Sequence, residues 1–139
     1  MRVEGQLTLA QVALLSDEID DAFTQTTQVL EAAREAELVW LVARAQCLLG
    51  SIMSAREQST QAAQYFEQAM ETFQKRGMRL EYARTLQQYG AMLLQDKQQG
   101  KTYQQGLRYL QDALRIFGEC KAGLDLHMVE RLLSQLAAV

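Results

Sequence analysis

An internal repeat of about 40 residues is the feature that most constrains the fold of this 139-residue chain. A shift of 40 places Leu9-Ala10 on Leu49-Gly50, and a second shift of 40 reaches Tyr89-Gly90. Beyond Gly90 the offset is 44, which places Ala62, Phe66, Ala69 and Phe73 on Gly106, Leu110, Ala113 and Phe117. The four extra residues are expected in the polar stretch 95–102. Repeats of this length form arrays in which each unit buries its apolar face only against its neighbours.

Each repeat predicts two helices, because apolar residues recur every three or four positions, as at Leu86, Tyr89 and Leu93. The chain contains no proline and only eight glycines, which also favours helix over loop-rich β structure. Ser16 and the acidic Asp17 are predicted to begin the second helix, Gly77 to end the fourth, and Gly123 to separate the last two. We therefore predict an all-α chain with helices at 3–15, 17–35, 37–55, 59–75, 79–95, 103–118 and 124–137.

Small residues recur where the predicted helices would cross. A glycine inside a helix costs about 1 kcal/mol relative to alanine, so a repeated glycine there indicates close approach of two helices. Each small residue is followed about one turn later by a large one that can fill the groove, such as Met53 or Phe66. The small positions are Gly50, Ala62, Ala69, Gly90, Gly106 and Ala113.

This order of small and large residues resembles the tetratricopeptide repeat. The matching residues are Leu49-Gly50, Met53, Ala62, Phe66 and Ala69 in the middle repeat, and Tyr89-Gly90, Leu93, Gly106, Leu110 and Ala113 in the third. Two features depart from the family: its usual proline at the end of the second helix is absent, and the period exceeds about 34 residues. Longer periods resemble the divergent arrays attached to bacterial signalling ATPases, nucleotide cyclases and transcriptional activators.

The resemblance implies a right-handed superhelical array of antiparallel helical hairpins, an α-solenoid of about seven helices. It would form one domain over 1–139, with repeats at about 3–36, 37–77 and 78–120 and a capping helix at 124–137. An unrelated helical bundle with the same alternation of small and large residues is the alternative fold.

In arrays of this type the first helices of successive repeats line a concave face that binds peptides or helices. The resemblance therefore implies a non-catalytic scaffold that binds an acidic segment of another protein, or of another domain of a parent protein. Three guanidinium groups on this face would suit carboxylates, unless each pairs with an acid of its own array, such as Glu35 or Glu81. The residues expected on the face are Arg44, Cys47, Ser51, Arg84, Gln87 and Arg131.

Other classes of function have little support in the sequence. The net charge is −3 with no basic stretch, which disfavours nucleic acid, and no run of about 20 apolar residues predicts a membrane span. His127 is the only histidine, and the two cysteines, Cys47 and Cys120, are predicted to be small buried side chains. We expect a cytoplasmic protein with no metal, no cofactor and no catalytic residues. An enzyme with an unrecognised helical site is the remaining alternative.

The first predicted helix suggests a second type of partner. A terminal repeat should carry a polar outer face, yet apolar side chains surround much of helix 3–15. We therefore predict that this helix packs against preceding repeats of a longer parent, or against a second copy in a homodimer. The residues expected to take part are Leu7, Val12, Leu14 and Leu15, and a homo-oligomerisation module is the corresponding alternative function.

Overall fold

A computed structural model describes residues 3–15, 18–95 and 100–137 of the chain. Within these ranges the chain forms seven α-helices and no β-strand, which confirms the predicted fold class and number of helices. The predicted first residues of the second helix, Ser16 and Asp17, lie outside the described residues, as does 96–99 within the predicted insertion. The helices are α1 (Val3–Leu15), α2 (Ile19–Glu35), α3 (Val39–Ala55), α4 (Ser59–Lys75), α5 (Arg79–Leu93), α6 (Lys101–Glu119) and α7 (Gly123–Ala137).

The helices belong to two compact units, Met1–Arg76 and Gly77–Val139. In the first unit, α2 packs against α1 and α3, α3 packs against α4, and α1 also touches α3. In the second unit, α6 packs against α5 and against α7. Helices that follow one another in the chain thus form the packed pairs, and the division between units falls where the second sequence repeat ends.

Each unit buries its own set of apolar side chains, and these recur at the helical period that the sequence shows. On α6, for example, Gly106, Leu110, Ala113 and Phe117 are all buried along one side. The most deeply buried large side chains are Leu7, Leu41, Leu49, Ile52, Phe66 and Phe73 in the first unit and Leu86, Leu110, Phe117 and Val129 in the second.

Three of the glycines within helices, Gly50, Gly90 and Gly106, mark close crossings, as predicted. A Cβ atom on Gly90 would lie 2.9 Å from the carbonyl oxygen of Gly106, and one on Gly106 would lie 2.9 Å from that of Gly90. On Gly50, a Cβ would lie 2.7 Å from the ring of Phe66. These separations are shorter than van der Waals contact, so α5 and α6 approach as closely as they do only because both residues lack a side chain.

Four helix ends share one turn geometry, in which a residue just past the helix adopts a left-handed backbone conformation. These residues are Glu37 (φ 57°), Glu57 (φ 60°), Gly77 (φ 68°) and Lys121 (φ 56°). The prediction of a glycine stop is therefore correct at Gly77. Gly123, which was predicted to separate the last two helices, is instead the first residue of α7.

The turn before α7 shows why no glycine is needed there. The N–H of Ala122 donates to the carbonyl of Phe117 at 2.9 Å, and the N–H of Lys121 donates to the carbonyl of Gly118 at 3.2 Å. These bonds satisfy carbonyls that the end of α6 would otherwise leave unpaired. The hydrogen bonds thus hold Lys121 in a conformation that an L-residue adopts only at a cost.

Candidate functional site

On α3, the predicted binding residues Arg44, Cys47 and Ser51 lie along one side of the helix. Their spacing of three and then four residues places them on a common stripe, and all three side chains are half-buried. Cys47 is a free cysteine, and both Cys47 and Ser51 have interaction partners within the chain. We call these three residues the Arg44 face.

Arg44 differs in its electrostatic environment from Arg56, Arg79, Arg84 and Arg115, which form ion pairs. Among the side chains that the structure describes, no carboxylate forms an ion pair with its guanidinium, and Glu35, the acid expected to neutralise it, does not pair with it. Its positive charge is therefore not compensated by any carboxylate of the described residues.

The equivalent residue in the next repeat, Arg84, is in the opposite situation. Its guanidinium lies 3.4 Å from a carboxylate oxygen of Glu81, on the same helix, and 3.1 Å from one of Asp125 on α7. Gln87, one turn further along α5, is half-buried. The intramolecular pairing that was the alternative for these arginines thus holds at Arg84, where the positive charge is already compensated.

Arg131, the third predicted cation, is exposed on α7. It follows Met128, whose side chain is 52% exposed, and Leu124, which is 76% exposed. These three residues recur every three or four positions, so they form one exposed stripe along the helix. Arg131 is therefore more exposed to solvent than Arg44, which is half-buried.

The four residues predicted for self-association lie in different environments on α1. Leu7 is only 2% exposed and belongs to the core of its own unit, so it is not available to a second copy. Leu14 is half-buried, whereas Leu15 is 86% exposed. The side chain of Val12 lies outside the described residues. Leu9, which is 45% exposed, adds apolar surface that the prediction did not include.

Sequence reasoning missed a polar groove in the first unit. Its lining comes from α2 and α4, and its volume is about 440 Å³. The only sequence signal was a run of glutamines on α4 spaced three and then four residues apart, which is ambiguous because exposed glutamines are common on helices. We call it the glutamine groove, and it is lined by Arg34, Gln61, Gln64, Tyr65 and Gln68.

The potential metal ligands and the cysteines of the described residues were also predicted from the sequence. No group of three or more His, Cys, Asp or Glu side chains in the described ranges could hold a metal ion. Cys120 is exposed at the end of α6, so the prediction that it is buried is wrong. Its position at a helix end, where the chain turns away from α6, explains that exposure. No described helix combines the length and apolar character that crossing a membrane requires.

Comparisons of this chain with protein-family models, with curated proteins and with solved structures find no match. The charges, contacts and exposed surfaces described above therefore carry the functional argument.

Proposed function

We propose that this chain is a non-catalytic module that binds another protein, and that the Arg44 face contributes the main electrostatic contact. The partner presents a carboxylate, from an acidic segment of a separate protein or of another domain of a longer parent. One observation carries the proposal: the half-buried residue Arg44 has no described carboxylate partner, whereas its equivalent, Arg84, has two.

Partly burying a charged side chain is costly unless an opposite charge compensates it. A guanidinium that has lost some of its water gains more from an incoming carboxylate than a fully solvated one does. Its planar donors also match the two oxygens of a carboxylate, which gives the contact a defined geometry. A half-buried arginine on an otherwise small-residue stripe is therefore suited to recognising one acidic side chain.

We further propose that the hairpins α1–α2, α3–α4 and α5–α6 are successive repeats of a tetratricopeptide-like α-solenoid, with α7 as its cap. The sequence offsets of 40 and 44 residues and the close crossings at Gly50 and Gly90 support this arrangement. In such a solenoid, α3 is the first helix of its hairpin and faces the concave side. The Arg44 face would then lie where a bound segment runs.

The proposal is tested by affinity capture from an extract of the source cells. Immobilised wild-type chain is compared with Arg44→Glu and with Arg76→Glu, a control that reverses an exposed charge in the same unit. We expect at least one protein that wild type and the control retain equally and that Arg44→Glu retains about tenfold less, the effect of losing about 1.4 kcal/mol. Equal retention by Arg44→Glu would overturn the role of this face. Far-UV circular dichroism checks that each variant is folded.

A second candidate function, self-association through α1, is favoured by the 86% exposure of Leu15 and the 45% exposure of Leu9. Burying one leucine side chain contributes about 1.5–3 kcal/mol, which is enough to support a weak dimer when two copies each bury one or two. Sedimentation equilibrium tests this candidate: a dimer of the wild-type chain should become a monomer in Leu15→Glu. A wild-type chain that stays monomeric at high concentration eliminates it.

A further inference from the structure

A buried side-chain amide lies next to the residues that line the glutamine groove. Gln46 on α3 is only 8% exposed, and its Nε2 donates a hydrogen bond of 3.0 Å to Oε1 of Gln68 on α4. Burying an amide is costly unless it is hydrogen-bonded, so this bond explains how Gln46 is tolerated. It also fixes the amide of Gln68, whose oxygen is occupied while its two N–H donors remain for a ligand.

The packing of the repeat does not require this polar pair. The sequence offsets of 40 and 44 place Leu86 at the position of Gln46 and Asp112 at that of Gln68. Leu86 is 1% exposed, so an apolar side chain fills the corresponding position in the second unit. A hydrogen-bonded amide is therefore an addition to the repeat in the first unit, and it adjoins a cavity.

The remaining lining of the groove is rich in hydrogen-bond donors. Arg34 supplies a guanidinium that forms no ion pair with any side chain that the structure describes. Gln61 and Gln64 supply amides that can both donate and accept, and Tyr65 supplies a hydroxyl. No carboxylate lines the groove. A ligand that carries one negative charge and several amide-like groups would match these donors and acceptors.

The charge of the first unit limits how acidic that ligand can be. Residues 1–76 contain eleven acidic and six basic side chains, a net charge of −5. A polyanion would be repelled by this excess, whereas a segment with a single carboxylate pairs with Arg34 and is otherwise uncharged. The glutamine amides complement the N–H and C=O groups of an extended peptide backbone, which offers both donors and acceptors.

We propose that the glutamine groove is a second binding site, for an extended peptide segment with one carboxylate, and that Gln46 is its positioning residue. The carboxylate pairs with Arg34, and the peptide backbone bonds with the amides of α4. The site is separate from the Arg44 face. A helix rotates by about 100° per residue, which places Gln46 about 130° around the axis of α3 from the Arg44 face. The inference therefore goes beyond the proposed function.

The test is an NMR titration of the isotope-labelled full chain with the blocked pentapeptide Ala-Ser-Glu-Ser-Ala. Its counterpart with Gln in place of Glu, hexaglutamate and free glutarate serve as comparisons. We expect the Glu peptide to shift the side-chain amide signals of Gln61, Gln64 and Gln68. The Gln peptide should bind about tenfold more weakly, since it loses a charge-assisted contact. Hexaglutamate and glutarate should also bind more weakly than the Glu peptide.

Three variants separate the roles of the residues. Arg34→Gln should weaken binding of the Glu peptide about tenfold. Gln46→Leu, which copies Leu86, should weaken binding of the Glu peptide about threefold, because Gln68 loses its fixed orientation. The midpoint of thermal unfolding should not fall. Arg44→Gln should leave the peptide-induced shifts of the groove amides unchanged, because Arg44 does not line the groove.

Several results would overturn the groove proposal: no amide shifts at millimolar peptide, equal affinity for the Gln peptide or for glutarate, or unchanged binding by Arg34→Gln. Shifts that are lost in Arg44→Gln but persist in Arg34→Gln would overturn it while supporting the Arg44 face. Failure at the groove and failure at the Arg44 face are therefore distinguishable.

Discussion

At the scale of single residues, the turns after α2, α3 and α6 hold Glu37, Glu57 and Lys121 in left-handed backbone conformations. Such a conformation costs an L-residue about 1–2 kcal/mol, and glycine avoids most of this cost. The equivalent position after α4 is Gly77. The chain therefore contains the same turn with and without the favoured residue, which makes the cost measurable.

We expect Glu57→Gly to raise the free energy of unfolding by about 0.5–1 kcal/mol, because relief of the left-handed conformation exceeds the added flexibility of the unfolded chain. Urea denaturation measures the change. Glu57→Gln is the matched control: it removes the charge but keeps the Cβ atom, so it should recover little of this gain. A gain as large from Gln as from Gly would mean that charge, not backbone conformation, sets the stability of this turn.

The glycines within helices lead to the opposite expectation. Gly90→Ala would place a Cβ atom 2.9 Å from the backbone oxygen of Gly106, which cannot move without shifting α6. We expect it to destabilise the fold by about 1–3 kcal/mol in thermal or urea unfolding. Gly118→Ala, near the end of α6 with nothing within 4 Å of a new Cβ, is the control and should instead stabilise by up to about 1 kcal/mol. Equal effects at both sites would contradict the close crossing.

At the scale of helices, the periodic pattern was sufficient to predict seven helices and their bounds to within two residues. Apolar spacing carries this information because burial of one side is what stabilises a short helix. Ion pairs between residues on different helices were harder to predict. Glu81 is a sequence neighbour of Arg84, but Asp125 lies on α7, far along the chain. Nothing local in the sequence indicates that Asp125 reaches Arg84.

The ends of α5 and α6 are joined by a second set of charges, in which Glu119 accepts hydrogen bonds from Arg79 and Arg115. The hydrogen bond from Arg79 is the largest cause that lowers the pKa of Glu119 below its ordinary value of 4.5, and the charge of Arg79 and the contacts of Arg115 add to it, whereas desolvation opposes them. Because the folded pKa is the lower one, this contribution to stability is present above pH 4.5 and is lost as the pH falls through the lowered pKa.

We expect Arg79→Gln to raise the pKa of Glu119 towards 4.5, since it removes the largest cause of the shift. The carboxyl carbon chemical shift of Glu119, followed by NMR from neutral to acid pH, reports this pKa. Glu71 provides an internal control, because Lys75 lowers its pKa in the first unit and the substitution leaves that pair intact. A Glu119 titration that is identical in wild type and Arg79→Gln would contradict the pairing.

At the scale of the whole molecule, the repeat predicts how the chain folds far better than what it binds. The same stripe position holds a guanidinium with no carboxylate partner among the described residues at Arg44 and a neutralised one at Arg84, although the two residues are equivalent in sequence. Likewise, the buried amide of Gln46, which donates a hydrogen bond to Gln68 of the glutamine groove, has Leu86 as its equivalent. Binding surfaces in repeat proteins arise from such differences between repeats, and these become visible only once neighbouring helices are in place.

The central claim, that this chain binds a protein partner through Arg44, is tested most directly by calorimetric titration of the purified captured partner. The account predicts that Arg44→Gln raises the dissociation constant about tenfold or more, because the contact to the partner carboxylate is lost. Arg76→Gln, which removes an exposed charge from the same unit, should stay within about twofold of wild type. Dissociation constants that are the same for wild type and Arg44→Gln would contradict the claim.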